Sequence, residues 1–240
     1  MATQQLCKDQ LIGELVTLFQ NTNPEYIDGA ITAAREQAAR NAKQMMRSDL
    51  EKLFDSQIVT EKRLGVPEQI IEMQMNGKMK VLDYAQSITI ADGNLPFAPV
   101  ISALYLGYHG IVAMVRHNSK QGYTHLDLSR IEDVEKVPGR LYYHFDVEDG
   151  TARLGKKPEV SDKEIRAEKR LRSTTAEIVS IGTHTNVLSR HYMDAVGSRC
   201  DSGLVPCLYL LGGWPKLFWN NLDCADDHWG AASCGSRLEL

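Results

Sequence analysis

The segment Gly197–Arg237, GSRCDSGLVPCLYLLGGWPKLFWNNLDCADDHWGAASCGSR, constrains this chain more than any other. It holds four of the five cysteines and all three tryptophans. Glycine, proline and Asn/Asp turns cut it into short apolar runs, the pattern of a small antiparallel sheet that closes a domain. The rest of the chain must supply the helices and strands on which that sheet packs.

Much of what precedes the segment reads as helical. Leu11, Leu15 and Phe19 lie four apart, with Ile12 and Val16 widening the stripe, so residues 5–20 form an amphipathic helix. Asn23-Pro24 then offers a cap and a first helical residue. A second apolar repeat runs through Ile27, Ile31, Ala34, Ala38, Ala42, Met45 and Leu53. A face for a partner helix, and so an oligomer through the N-terminal helices, is one reading; an intramolecular helical hairpin is the one base rates favour. Pro67 opens another helix, PEQIIEMQMNG, whose methionines read as core filler rather than a soft metal site.

Ala91-Asp92-Gly93-Asn94 is a strong turn signal. It divides a helical region, residues 1–90, from an α+β domain, residues 91–240. A buried strand is expected at 96–102, a helix at 104–117 and a strand at 123–128. Leu141, Tyr143, Phe145 and Val147 alternate with Tyr142, His144 and Asp146, predicting a strand with one buried and one wet face. Ser161-Asp162 then caps a long charged helix ending at Gly182. The expected class is α+β: a helical N-terminal region and a mixed sheet with an antiparallel C-terminal part.

Charge and targeting signals exclude several classes. With 27 basic and 31 acidic residues the formal net charge is −4, which gives nucleic acid no electrostatic footing. The basic residues of the charged helix are interleaved with acids at ion-pairing distance and lack stacking aromatics. No apolar run reaches membrane-spanning length, and the N-terminus has no secretory pattern, so a cytoplasmic protein with free thiols and no membrane partner is expected.

Two chemistries are open to the C-terminal segment. Zinc sites favour closely paired ligands, whereas here the gaps between Cys200, Cys207, Cys224 and Cys234 are six, sixteen and nine residues, so neither a metal nor another cofactor is expected. A nucleophilic thiolate needs a neighbouring base, and DDHWGAASCGSR offers Cys234 as nucleophile, His228 as base, and Asp227 or Asp226 to orient it. Against this stands an inert Cys234 packed in a final strand, with His228 capping a turn. Arg199 and Arg237 each close a Gly-Ser-Arg tripeptide and could clamp a carboxylate or phosphate, with Trp219 and Trp229 walling the pocket; alternatively they pair with surface aspartates.

The order GSR, then VP, then WPKLFW, then DDHWGAASCGSR resembles the C-terminal region of a bacterial domain family of unassigned function. The resemblance covers residues 197–237 and extends more loosely to PFAPVI at 96–101 and to 142–150. His228, Trp229 and Cys234 belong to the shared pattern; Cys200 and Cys207 do not. It implies a bacterial protein but no activity, cofactor or substrate. The function expected is therefore a small-ligand or protein-binding module, the alternative a cysteine-dependent hydrolase or acyl transferase using Cys234 and His228.

Overall fold

The computed structural model describes residues 47–139, 141–200 and 203–240. The chain separates into two compact units, Met1–Asp49 and Leu50–Leu240, and the second carries the sheets. The amphipathic pattern at 5–20 and most of the repeat from Ile27 onward, Ile31 included, lie outside the described residues.

The second unit is α+β. Helix α1, described from residue 47 to 64, buries Leu50, Phe54 and Ile58 at four-residue spacing. Helix α2 (Glu68–Ser87) follows Pro67 and runs well past the expected end at Gly77. Its Met73 packs against the core as expected, but Met75, 45% exposed, does not; Met75 and the following Met79 fall on the solvent side of the helix. The turn at Ala91 is present, closed by Asn94 N–H donating to Ala91 O.

Strand β1 (Leu95–Ile101) then pairs antiparallel with β6 (Leu141–Val147), and β6 with the late strand β14 (Ser236–Glu239), in the order β1-β6-β14. Pro96 and Pro99 are tolerated in β1 because it is an edge strand. The strand expected at 141–147 has those bounds, but its wet face does not exist: all seven residues are buried. Tyr143 and Phe145 face the helices, stacked on Phe54 and edge-on to Tyr84 respectively. Tyr142, His144 and Asp146 face inward on the other side, where polar partners from later in the chain cover them.

Between β1 and β6 lie α3 (Ala103–Val112), kinked at Gly107, and the short strands β2 (Arg116–His117), β3 (Lys120–Gln121), β4 (Tyr123–Thr124) and β5 (Ile131–Asp133). The expected helix at 104–117 thus ends early, and the expected strand at 123–128 shrinks to two residues. The single charged helix is also corrected. Helix α4 (Pro158–Ala167) stops where Lys169 adopts φ 59°, β7 (Leu171–Arg172) intervenes, and α5 (Thr175–His184) restarts behind a capping box of Thr174 and Glu177. Ser161 and Asp162 lie inside α4 rather than at its cap; Pro158 occupies the first helical position.

The C-terminal segment forms the expected sheet, though not a purely antiparallel one. Strands β10 (Leu204–Leu211) and β11 (Trp214–Asn221) make a hairpin whose turn residues, Gly212 and Gly213, both have positive φ, as a two-residue turn of this hand requires. Strand β8 (Tyr192–Asp194) pairs antiparallel with β10; β12 (Trp229–Ala231) joins β8 in parallel, and β4 joins β11 in parallel, in the order β12-β8-β10-β11-β4. Strands β9 (Ser198–Cys200) and β13 (Ser233–Cys234) pair with β5 and β7. Helix α5 packs against both β1 and β10, joining the two main sheets, and one apolar cluster runs from Phe54 through Tyr143 and Ile178 to Leu217. No described helix is long and apolar enough to cross a membrane.

Candidate functional site

The segment that carries the sequence-predicted site divides between two places. Strands β12 and β13 carry the chain in near-extended form from Trp229 to Cys234. At about 3.3 Å per residue, the six steps from His228 cover up to about 20 Å. His228 and Asp227 are exposed on the turn before β12, whereas Cys234 is fully buried in β13. The pairing of Cys234 with His228 is not formed, because the intervening chain is strand rather than hairpin; the other reading, a buried Cys234 in a strand with His228 on a turn, is the one that stands.

Cys234 instead meets the inward face of β6. Its Sγ, a carboxylate oxygen of Glu177 and a ring nitrogen of His144 all lie within 4.8 Å of one another. Burial, reinforced by the Glu177 charge, pushes the Cys234 thiol up. Burial pushes the His144 imidazole down to about 4, so the ring is neutral. Burial also works against the Glu177 carboxylate. The Arg237 guanidinium overrides it, with hydrogen bonds to both carboxylate oxygens at 2.6 and 2.9 Å, and the carboxyl stays below the usual range. Thr174 N–H adds a third donor at 2.8 Å. Beside this group Arg170 binds the side chain and backbone oxygen of Asp146 and donates to Ser233 Oγ at 2.9 Å.

Arg237 is therefore committed to Glu177, and the two arginines expected to clamp one ligand do not share a site. Arg199 donates to the backbone oxygens of Val196 and Ser198, with Asp162 3.7 Å away. Of the tryptophans, Trp219 is 39% exposed and stacks on its neighbour Phe218. Trp229 packs with Tyr192 and Tyr209 across adjacent strands, at ring separations of 5.2 and 5.4 Å. Cys200, Cys207, Cys224 and Cys234 are all free, and they are not gathered as one ligand set.

An open cleft of about 520 Å³ lies beside that aromatic group. His117, Asn118, Leu188, Arg190, His191, Tyr192, Leu210 and His228 are among its walls. Three local structures aim these groups inward. The β2–β3 turn, with Asn118 and Ser119 both at positive φ, presents His117. The loop entering β8 presents Arg190 and His191. The turn entering β12 presents His228, whose N–H is held by Asp226 Oδ1 at 2.9 Å and whose carbonyl accepts from Tyr192 N–H at 2.8 Å.

Asp149 braces one wall of this cleft. Arg190 Nη2 donates to Asp149 Oδ2 at 2.6 Å, and His191 Nε2–H donates to Asp149 O at 3.0 Å. That second bond puts a proton on Nε2 and fixes the orientation of the ring. Burial pushes the Asp149 carboxyl up. Hydrogen bonds from the Thr151 side chain and backbone, with His191 and Arg190 close by, more than offset it, so Asp149 remains an anion. The cleft thus combines a fixed guanidinium, three imidazoles, an aromatic ring and two leucines. Its histidines are scattered along the sequence at 117, 191 and 228, and no periodicity connects them. Only the contact between β12 and β8 could have announced the pairing of His228 with Tyr192.

Compared with known protein families, curated proteins and solved structures, the chain matches none.

Proposed function

We propose that this protein is a small-ligand-binding module and that its ligand is a small organic anion held in the histidine cleft. The observation that carries the reading is the convergence of Arg190, His117, His191 and His228 on one concave wall, with Arg190 and His191 braced by Asp149. A guanidinium in a fixed orientation binds a carboxylate or phosphate through paired hydrogen bonds. Tyr192, Leu188 and Leu210 supply an apolar wall for the ligand's body, the usual composition of a small-molecule site. His228, which lines the cleft, and Trp229 beside it belong to the pattern that resembles the bacterial family.

A cysteine-dependent hydrolase would require an accessible thiolate. Cys234 is buried with its thiol pushed up, so that alternative has no support from its own nucleophile.

Titration with benzoate tests the proposal. Trp229 is followed by fluorescence in a Trp214→Phe, Trp219→Phe background, and inorganic phosphate serves as competitor. Saturable quenching is expected, weakened tenfold or more in Arg190→Ala, since one charged hydrogen bond contributes about 1.5–3 kcal/mol. Absence of any saturable response to benzoate or phosphate, or equal affinity in wild type, Arg190→Ala and His228→Ala, overturns it.

A further inference from the structure

His144 presents an accounting problem. Its side chain is completely buried, and neither ring nitrogen has a hydrogen-bond partner. A neutral imidazole carries one N–H to donate and one lone pair to fill. Leaving both unmet in the interior costs free energy, and buried polar groups are rarely left so. The nearest oxygen of Glu177, Oε1, is 4.0 Å from Nδ1, too far for a hydrogen bond. A gap of that size, walled by nitrogen, oxygen and sulfur, is what a coordinated ion occupies.

We propose that His144, Glu177 and Cys234 form a binding site for a divalent transition ion of the zinc class. The donors come from three packed elements, β6, α5 and β13, and lie within 4.8 Å of one another. Around a tetrahedral ion with bonds of about 2.0–2.3 Å, such atoms sit roughly 3.3–3.8 Å apart. The site therefore contracts by at most about 1.5 Å on filling. The donor set of one imidazole, one carboxylate and one thiolate suits a borderline ion and disfavours magnesium or calcium, which take oxygen ligands.

The surrounding charges agree with this. On binding, the ion bonds to Sγ and the thiol proton leaves to solvent. Glu177 and the Cys234 thiolate then carry two negative charges against the ion's two positive ones, while Arg237 stays hydrogen-bonded to Glu177. Arg237 fixes the carboxylate in the manner of an outer-shell partner. A carboxylate oxygen has two lone-pair directions, and Oε1 receives one hydrogen bond, from Arg237 Nε, which leaves the other for the ion. Three protein ligands leave a fourth position for water. The site is separate from the histidine cleft and independent of what that cleft binds.

Its burial dictates how it must be tested. The 240-residue chain is unfolded in urea with reductant and chelator, freed of both metal and chelator, and refolded with cobalt(II) as the probe. One cobalt per chain is expected, with a thiolate-to-cobalt charge-transfer band that Cys224→Ser retains and Cys234→Ser and His144→Gln lose. Zinc(II) should displace the cobalt and raise the wild-type thermal midpoint. Wild type that regains its native circular dichroism yet holds neither ion, or a band that survives in folded Cys234→Ser, overturns the proposal. The wild-type stoichiometry decides the matter even if a variant fails to fold.

Discussion

The Arg237 guanidinium meets the Glu177 carboxylate along both edges, Nε to Oε1 at 2.6 Å and Nη2 to Oε2 at 2.9 Å, with neither side chain open to solvent. The pair joins the late strand β14 to the start of α5. Removing one partner strands a buried charge, which costs about 3–5 kcal/mol. Arg237→Ala is expected to lose that much in urea unfolding of the metal-free protein. Arg237→Lys should recover little, because an ammonium cannot present two parallel donors.

Asp194 sets a pH dependence of stability. Burial raises its carboxyl from the ordinary 3.8 to about 7, against a single hydrogen bond from Asn220. The folded protein keeps this proton after the unfolded chain has released it. Its stabilising effect is whole below pH 3.8, falls as pH rises and is gone above about 7. Asp194→Asn, which cannot ionise, should therefore match wild type near pH 4 and exceed its stability by about 2–4 kcal/mol at pH 8. A constant difference across pH would refute the assignment.

Gly150 and Gly230 let two backbone segments touch. A Cβ on Gly230 would lie 2.1 Å from Gly150 O, and Gly150 itself has φ 102°. The contact lies where β12 meets the turn that carries Asp149. Gly230→Ala is expected to destabilise by about 1–3 kcal/mol or more. It should also weaken ligand binding in the cleft by shifting His228, whereas an equally destabilising core change such as Ile58→Val should leave binding alone.

Thiol reactivity follows burial. Among the described cysteines Cys224 is exposed and Cys200, Cys207 and Cys234 are buried. Peptide mapping after alkylation of the native protein should find Cys224 modified first. In a Cys224→Ser background, labelling of Cys234 should follow global unfolding, in His228→Ala as in wild type. Rapid native labelling of Cys234 would restore the thiol-enzyme reading.

Local signals in the sequence carried the turns and the clearest strands. The Ala91–Asn94 turn and the bounds of the Leu141–Val147 strand depend on neighbours in sequence, and both stand where expected. What failed depended on distant partners. Tyr142, His144 and Asp146 have the polarity of a solvated face, yet Glu177, Arg237 and Arg170 cover them. The charged helix had continuous helical spacing, but Lys169 takes a left-handed conformation and Arg170 turns back to Asp146. For Cys234 the inert reading stands, a buried thiol in a late strand with His228 on a turn, while the nucleophile reading needed a hairpin that the chain does not make. The histidine cleft depends on how β12 joins β8 in parallel, which no spacing within the segment encodes.

Strand β14 completes a sheet whose other members, β1 and β6, are made far earlier in the chain. During synthesis β6 must wait with one edge unpaired and with His144 and Tyr142 uncovered until residues 233–239 have emerged. A nascent chain halted before that point therefore exposes an open strand edge beside aromatic surface, the kind of site that chaperones hold and that seeds aggregation. Truncation before Ser236, which removes β14, should be far more damaging to yield than its distance from the cleft suggests.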